Sequence, residues 1–131
     1  MNLDWIKTIP DYITYFNDDH RIVIELIGID NYLLLYDYLG KTGIYFSSLS
    51  AKDYNQKVAG LIGQDNFSKL YLKFCKSEIY FSTVSINKLK RAWLLKNRHV
   101  DYNEAARILG VSAKTIYRWR QEKRTNLLDA G

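Results

Sequence analysis

A single proline, a single cysteine and a single methionine in 131 residues remove several possibilities at once. Pro10 stands near the start, and no stretch rich in Gly, Ser or Pro divides the chain, so no flexible linker is expected. A lone Cys75 excludes an internal disulfide, and with no nucleophile motif around it the residue reads as a small structural one. No apolar run approaches the roughly 18 residues of a membrane span. The opening MNLDWIKTIP lacks the basic start and apolar stretch of a signal peptide, so a cytoplasmic protein is expected. Gly-rich phosphate loops, zinc-ligand spacings and nucleophile patterns are missing as well, and neither an enzyme nor a cofactor or metal is expected. Asp18, Asp19 and His20 are consecutive and cannot share one face of a helix or strand, which favours a polar turn over a metal or acid/base cluster. His99, between Arg98 and Val100, suits a phosphate contact better than zinc.

What is present is unevenly distributed. Residues 1–85 hold eight Lys or Arg against ten Asp or Glu, net −2, whereas residues 86–131 hold eleven against four, net +7. A basic excess gathered at one end points to a polyanionic partner there, or to a solvated charged helical surface.

The chain also repeats itself. LIGIDNYLLLYDYLGKTGIYFS, Leu26 to Ser47, returns thirty-five positions later as LIGQDNFSKLYLKFCKSEIYFS, Leu61 to Ser82, with twelve of twenty-two residues identical and no gap. Such self-similarity marks a supersecondary unit that buries its apolar face against its neighbour. Two copies suggest a globular domain with a pseudo-twofold axis. In each copy apolar residues fall at 32, 35, 36 and 39, and at 67, 70, 71 and 74, the stripe of an amphipathic helix. Asp30 and Asp65 are the expected N-caps, and Gly40 is expected at a left-handed C-terminal position that Cys75 must replace differently. Then Ile44, Tyr45 and Phe46, matched by Ile79, Tyr80 and Phe81, form a short strand with Ile and Phe on one face.

On the flanks of the stripe Leu33, Leu34 and Tyr38 of the first copy become Ser68, Lys69 and Lys73, so the first helix is expected to be buried on more sides, centrally or against another subunit. Ser50 to Asp53 resembles a capping box for a helix ending near Gly63. The segment to Asp19, with Trp5, Tyr12, Tyr15 and Phe16, reads as packed irregular or short helical structure.

From Ser85 a basic helix is expected with Leu89, Ala92, Trp93 and the stem of Lys96 inward. DYNEAARILGVSAKTIYRWRQEKR, residues 101–124, then has the grammar of a helix-turn-helix. Asp101 and Glu104 cap a first helix whose apolar face is Ala105, Ile108 and Leu109; Gly110 ends it; Ser112 caps a second helix with Ile116 and Trp119 inward. In a helix-turn-helix the second helix lies in the DNA major groove. Lys114, Arg118 and Gln121 are then the candidate base readers, Arg118 for guanine and Gln121 for adenine. Ser112, Thr115, Tyr117, Lys123 and Arg124 are the candidate phosphate contacts.

These residues together resemble the Mor family, the middle-operon regulators of Mu-like phages. LIGIDNYLLLYDYLGKTGIYF is similar to that family's dimerisation region and EAARILGVSAKTIYRWRQ to its helix-turn-helix, over about residues 21 to 124. The resemblance implies a dimeric activator of phage promoters whose partners are double-stranded DNA, RNA polymerase and a second copy of the chain. Two departures stand out: Ser47 and Ser82 replace the proline after the family's strand, and the strand-bearing unit is duplicated. The duplication suggests a fused dimerisation unit in which Ile44, Tyr45 and Phe46 pair internally with Ile79, Tyr80 and Phe81.

The expected architecture is α+β and mostly helical. Residues 1–84 would be a tandem-repeat domain, a pseudo-dimer or dimerisation unit, and residues 85–131 a helix-turn-helix DNA-binding domain. The function expected first is a sequence-specific transcription regulator of phage or mobile-element type. The alternatives are a DNA-binding accessory protein in packaging or recombination and a protein-interaction module docking its basic end on an acidic partner.

Overall fold

The structure is a computed structural model describing residues 3–46 and 53–130, with side chains over 3–46 and 55–122. The described residues form seven α-helices, one two-stranded antiparallel sheet and two short 3-10 turns, a mostly helical protein with a small sheet. They divide into two compact units, one spanning Ile13–Ser85 and the other joining Met1–Tyr12 to Ile86–Gly131.

That division differs at the N-terminus from the one expected. Residues 3–12 cluster with the C-terminal helices, not with the repeat. The 3-10 turn Asp4–Thr8 turns Trp5 and Ile6 inward, and Leu3 and Ile9 are buried beside them. Four apolar side chains in so short a segment have to be buried somewhere, but a stretch without periodicity carries no mark of which core receives them.

The repeat unit begins with α1 (Asp18–Ile27), α2 (Ile29–Leu39) and β1 (Gly43–Tyr45). Each element recurs thirty-five positions on, as α3 (Asp53–Ile62), α4 (Gln64–Phe74) and β2 (Glu78–Tyr80). The correspondence thus reaches back to Asp18 and Asp53, a helix earlier than the identity between the copies makes obvious. Asp18, Asp19 and His20 open α1, where Asn17 caps the helix by accepting from the His20 backbone N–H at 3.1 Å. They form a helical first turn instead of the expected polar turn. The expected capping box at Ser50 to Asp53 lies outside the described side chains.

Gly28 and Gly63 join the paired helices at φ 84° and 94°, a region where a side chain would be strained. Each glycine ends one helix and caps the next. Asp30 and Asp65 are therefore not the caps; they sit in the first turn, where their charge complements the helix dipole. The side chain that ties the helices together is the following asparagine: Asn31 donates to the Ile27 carbonyl and Asn66 to the Ile62 carbonyl, both at 2.9 Å. Gly40 is likewise not left-handed. Its φ of −49° and ψ of 131° match −52° and 130° at Cys75, and the left-handed residue is the next one, Lys41 at φ 69° and Lys76 at φ 61°. Cysteine can replace glycine there because neither position needs a positive φ.

The two strands are hydrogen-bonded neighbours. Ile44 faces Ile79, Gly43 faces Tyr80 and Tyr45 faces Glu78. Ile44 and Ile79 occupy the same position in the two copies, and the flanking pairs exchange under the thirty-five-residue shift, so the pairing has the form of an isologous contact. Bonds beyond the strands keep that symmetry: Lys41 N–H to the Phe81 carbonyl and Lys76 N–H to the Phe46 carbonyl, both 2.7 Å. Ile44, Phe46, Ile79 and Phe81 are buried while Tyr45 and Tyr80 are exposed, the alternation expected of the two IYF segments. The helices cross between copies as well, α1 packing on α2 and α4, and α3 on α4 and α2.

One polar hub breaks the symmetry. His20 is buried, its Nε2 3.0 Å from the Tyr80 carbonyl and its Nδ1 2.9 Å from the Tyr32 hydroxyl. A carbonyl only accepts, so Nε2 carries the proton and Nδ1 accepts from Tyr32. The imidazole links α1, α2 and the strand of the other copy, with the Phe81 ring edge-on at 5.1 Å. Burial pushes the Tyr32 hydroxyl upward, with a smaller push from Tyr36, and keeps it a donor. Burial also holds His20 below its ordinary 6.5, against the opposing pulls of the Tyr80 carbonyl and the Asp19 charge. The folded state therefore binds fewer protons than the unfolded chain once pH falls below about 6.5. His20's contribution to stability is complete above that pH and is lost as acid approaches the lowered value. Thermal unfolding of the wild type should drop in midpoint between about pH 7 and pH 5 more steeply than that of His20→Gln; parallel pH dependences of the two would contradict the assignment.

Candidate nucleic-acid interface

The other unit is built on α5 (Val84–Lys96), α6 (Tyr102–Leu109) and α7 (Ala113–Ala130). In α5 the buried residues are Ile86, Leu89, Lys90, Trp93 and Leu94; Ala92 is only half-buried and Lys96 is exposed. The inward face is thus rotated from the one expected, because Ile86 and Leu94 extend the Leu89–Trp93 stripe and displace Ala92 and Lys96 to its edge.

In α6 the Asp101 carboxylate accepts from the Glu104 N–H at 2.8 Å. The Glu104 side chain pairs with Arg107 and does not return to Asp101, so the cap is one-sided. Ala105, Ala106 and Leu109 are buried, with Ile108 half-buried at the edge. Gly110 then adopts the left-handed conformation, φ 68° and ψ 37°, and Val111 N–H returns to the Ala106 carbonyl at 3.1 Å. That closure lets the chain reverse within a few residues. Ser112 restarts the helix, its Oγ accepting from the Thr115 N–H at 3.1 Å.

Ile116 and Trp119 anchor α7, at 0% and 6% exposure. Two arginines brace it. Arg120 donates to the Val100 carbonyl at 2.7 Å and lies over the Tyr102 ring at 5.1 Å. Arg91 lies over the Trp119 ring at 5.3 Å and reaches Glu122 at 3.5 Å. These two cations are committed to holding the helix in place.

The opposite face is open. Lys114, Tyr117, Arg118 and Gln121 are all exposed, and their spacing of i, i+3, i+4 and i+7 places them in one stripe along α7. The structure thus brings together all three expected base readers and one of the expected phosphate contacts. Ser112 is exposed at the head of the same helix, and its hydroxyl lies 2.9 Å from that of half-buried Thr115. One hydroxyl proton bridges that pair and one remains for a ligand. The side chains of Lys123 and Arg124 lie outside the described residues. The strand residues Ile44, Tyr45, Phe46, Ile79, Tyr80 and Phe81 belong to the other unit, where they make the sheet.

Tyr102 was not among the expected site residues. It stands exposed at the start of α6 with its ring edge-on to Tyr117, centroids 5.9 Å apart. An aromatic just after an N-cap looks like any first-turn residue in sequence, and only the helix crossing sets it beside Tyr117. Exposed His99 sits in the connection before α6. Among the described residues no group of three or more His, Cys, Asp or Glu is placed to hold a metal ion. None of their helices is long and apolar enough to cross a membrane.

No protein-family model matches the chain, and no curated protein or solved structure matches it either.

Because Gly110 takes a left-handed φ, Gly110→Ala should lower stability by roughly 1–2 kcal/mol. Urea unfolding followed by tryptophan fluorescence reports on Trp93 and Trp119 directly; an unchanged midpoint would show that the turn tolerates a side chain.

Proposed function

We propose that the protein is a sequence-specific DNA-binding transcription regulator of phage or mobile-element type, similar to the Mor activators. The carrying observation is the exposed stripe of Lys114, Tyr117, Arg118 and Gln121 on a helix fixed by a left-handed Gly110, a Ser112 cap and a buried Ile116–Trp119 face. In this reading α6 and α7 form a helix-turn-helix and the early part of α7 enters the major groove. The fork of Arg118 donates to guanine O6 and N7, Gln121 pairs with adenine, and Lys114 reads a base edge nearby. Ser112, Thr115, Tyr117, Lys123 and Arg124 contact phosphate, aided by the positive end of α7. Residues 86–131 carry a net +7, which supplies the attraction that is independent of sequence.

The repeat unit has a place in the same reading. An isologous strand pair centred on Ile44 and Ile79 is what two protomers of a symmetric dimer would make, so the chain is a dimerisation unit fused within itself and carrying one DNA-reading unit. A single such chain reads one half-site.

Selection of random-sequence duplexes by the full-length protein at near-physiological salt should enrich one short motif. Binding that is salt-sensitive yet enriches nothing would turn the reading toward packaging or architectural work, and an absence of binding toward an acidic protein partner. With the motif known, Arg118→Ala should lose discrimination at one base pair by roughly 1–3 kcal/mol; an unaltered motif would remove Arg118 from the reading face.

A further inference from the structure

The thirty-five-residue relation that pairs the strands also matches the outer faces of α2 and α4, and there the two copies differ in a regular way. Asp30, Leu34, Asp37 and Tyr38 are exposed on α2, and their spacing of i, i+4, i+7 and i+8 puts them on one face. Their counterparts on α4 are Asp65, Lys69, Leu72 and Lys73, which are exposed as well. Of the three residues expected to be more deeply buried in the first copy, only Leu33 is buried; Leu34 and Tyr38 are 44% and 49% exposed. Leu72 is 80% exposed.

Where one face carries an apolar residue the other carries a charge. Leu34 and Tyr38 stand where the second copy has Lys69 and Lys73, and Leu72 stands where the first copy has Asp37. The helices are opposite in sign too. Ile29–Leu39 contains two Asp and no Lys or Arg, net −2, whereas Gln64–Phe74 contains one Asp and two Lys, net +1. Two faces at equivalent places of a pseudo-symmetric unit thus combine opposite charge with apolar side chains set at alternate positions.

We propose that a second copy of this chain covers these faces, with α2 of one molecule packing on α4 of the next. Leu72 seats against the ridge of Leu34 and Tyr38, as ridge-into-groove packing of two helices requires. The stems of Lys69 and Lys73 lie along the same apolar surface and their ammonium groups approach the acidic helix. Like faces do not fit each other: α2 against α2 sets aspartates together, and α4 against α4 sets lysines together. Each chain therefore offers one face of each kind, and the contact is heterologous. The patch is small beside the interface of a permanent dimer, so the association is weak and depends on concentration. It uses neither the strand pairing, which is complete within the chain, nor the stripe on α7, and does not depend on the DNA-binding reading.

The test is sedimentation of the full-length protein without DNA, in a concentration series reaching the millimolar range. At low salt the average mass is expected to rise above that of one chain, and to fall back as salt screens the contact. Two variants then separate the faces. Leu34→Lys combined with Tyr38→Lys gives α2 the side chains that α4 carries, and Leu72→Asp gives α4 the one that α2 carries. The fold already holds these residues at equivalent exposed places, so both variants should keep the circular dichroism of the wild type. Each variant alone should stay monomeric, and an equal mixture should associate again, because the first keeps its α4 face and the second its α2 face. A wild type that stays monomeric throughout, either variant associating alone as the wild type does, or a mixture that fails to associate overturns the proposal.

Discussion

The repeat unit depends on the backbone pairing around Ile44 and Ile79. Three residue pairs are a small sheet, and an isolated two-stranded ribbon is marginal in water. What sustains it is that both strands turn Ile and Phe side chains into one core, which helices from both copies cover. The pairing constrains the rest: the left-handed Lys41 and Lys76 bring each chain off its helix so that their N–H groups reach the opposite copy's Phe81 and Phe46 carbonyls. Among the described residues neither copy has a second strand of its own, so each strand depends on the other for its pairing.

Symmetry in the backbone left the side chains free to diverge. In the first copy His20 and Tyr32 form a buried polar hub that reaches the other copy's strand at Tyr80. In the second copy Asn55 and Phe67 occupy those places, with an unpartnered amide and a cavity. A backbone held by reciprocal main-chain bonds tolerates such changes, since none of those bonds involves the altered side chains.

In the other unit the division of labour among cations is the governing fact. Arg91 and Arg120 are engaged with Trp119, Glu122, Tyr102 and the Val100 carbonyl, and they fix the orientation of α7. Lys114 and Arg118 are left on the outer stripe. A basic helix on which every charge faced outward would be held less firmly; here two of them set the surface on which the others are displayed. The proposed reading of DNA rests on that preorganisation as much as on charge.

Much of this was legible in the sequence because it is local. Asp101, Gly110 and Ser112 act within four residues of themselves, and the 3.6-residue period of Ile116 and Trp119 implies which face of α7 is open. The neighbouring strands were also legible, since a duplicated segment with one apolar face has its own copy as the nearest complement. Several features were settled only by tertiary structure. The left-handed position moved from Gly40 to Lys41, because the strand pairing, not glycine's freedom, decides where the chain must bend. Residues 3–9 joined the C-terminal unit, because an aperiodic apolar segment goes to whichever core its burial completes. His20 and Asn55 became the polar points of the repeat core although nothing in DDH or DYN marks them, and their shared register shows only when the thirty-five-residue shift is carried back through α1 and α3. Short-range capping and periodicity are written in neighbouring residues, whereas the partner of a buried polar atom is chosen by whatever the fold brings to it from a distance.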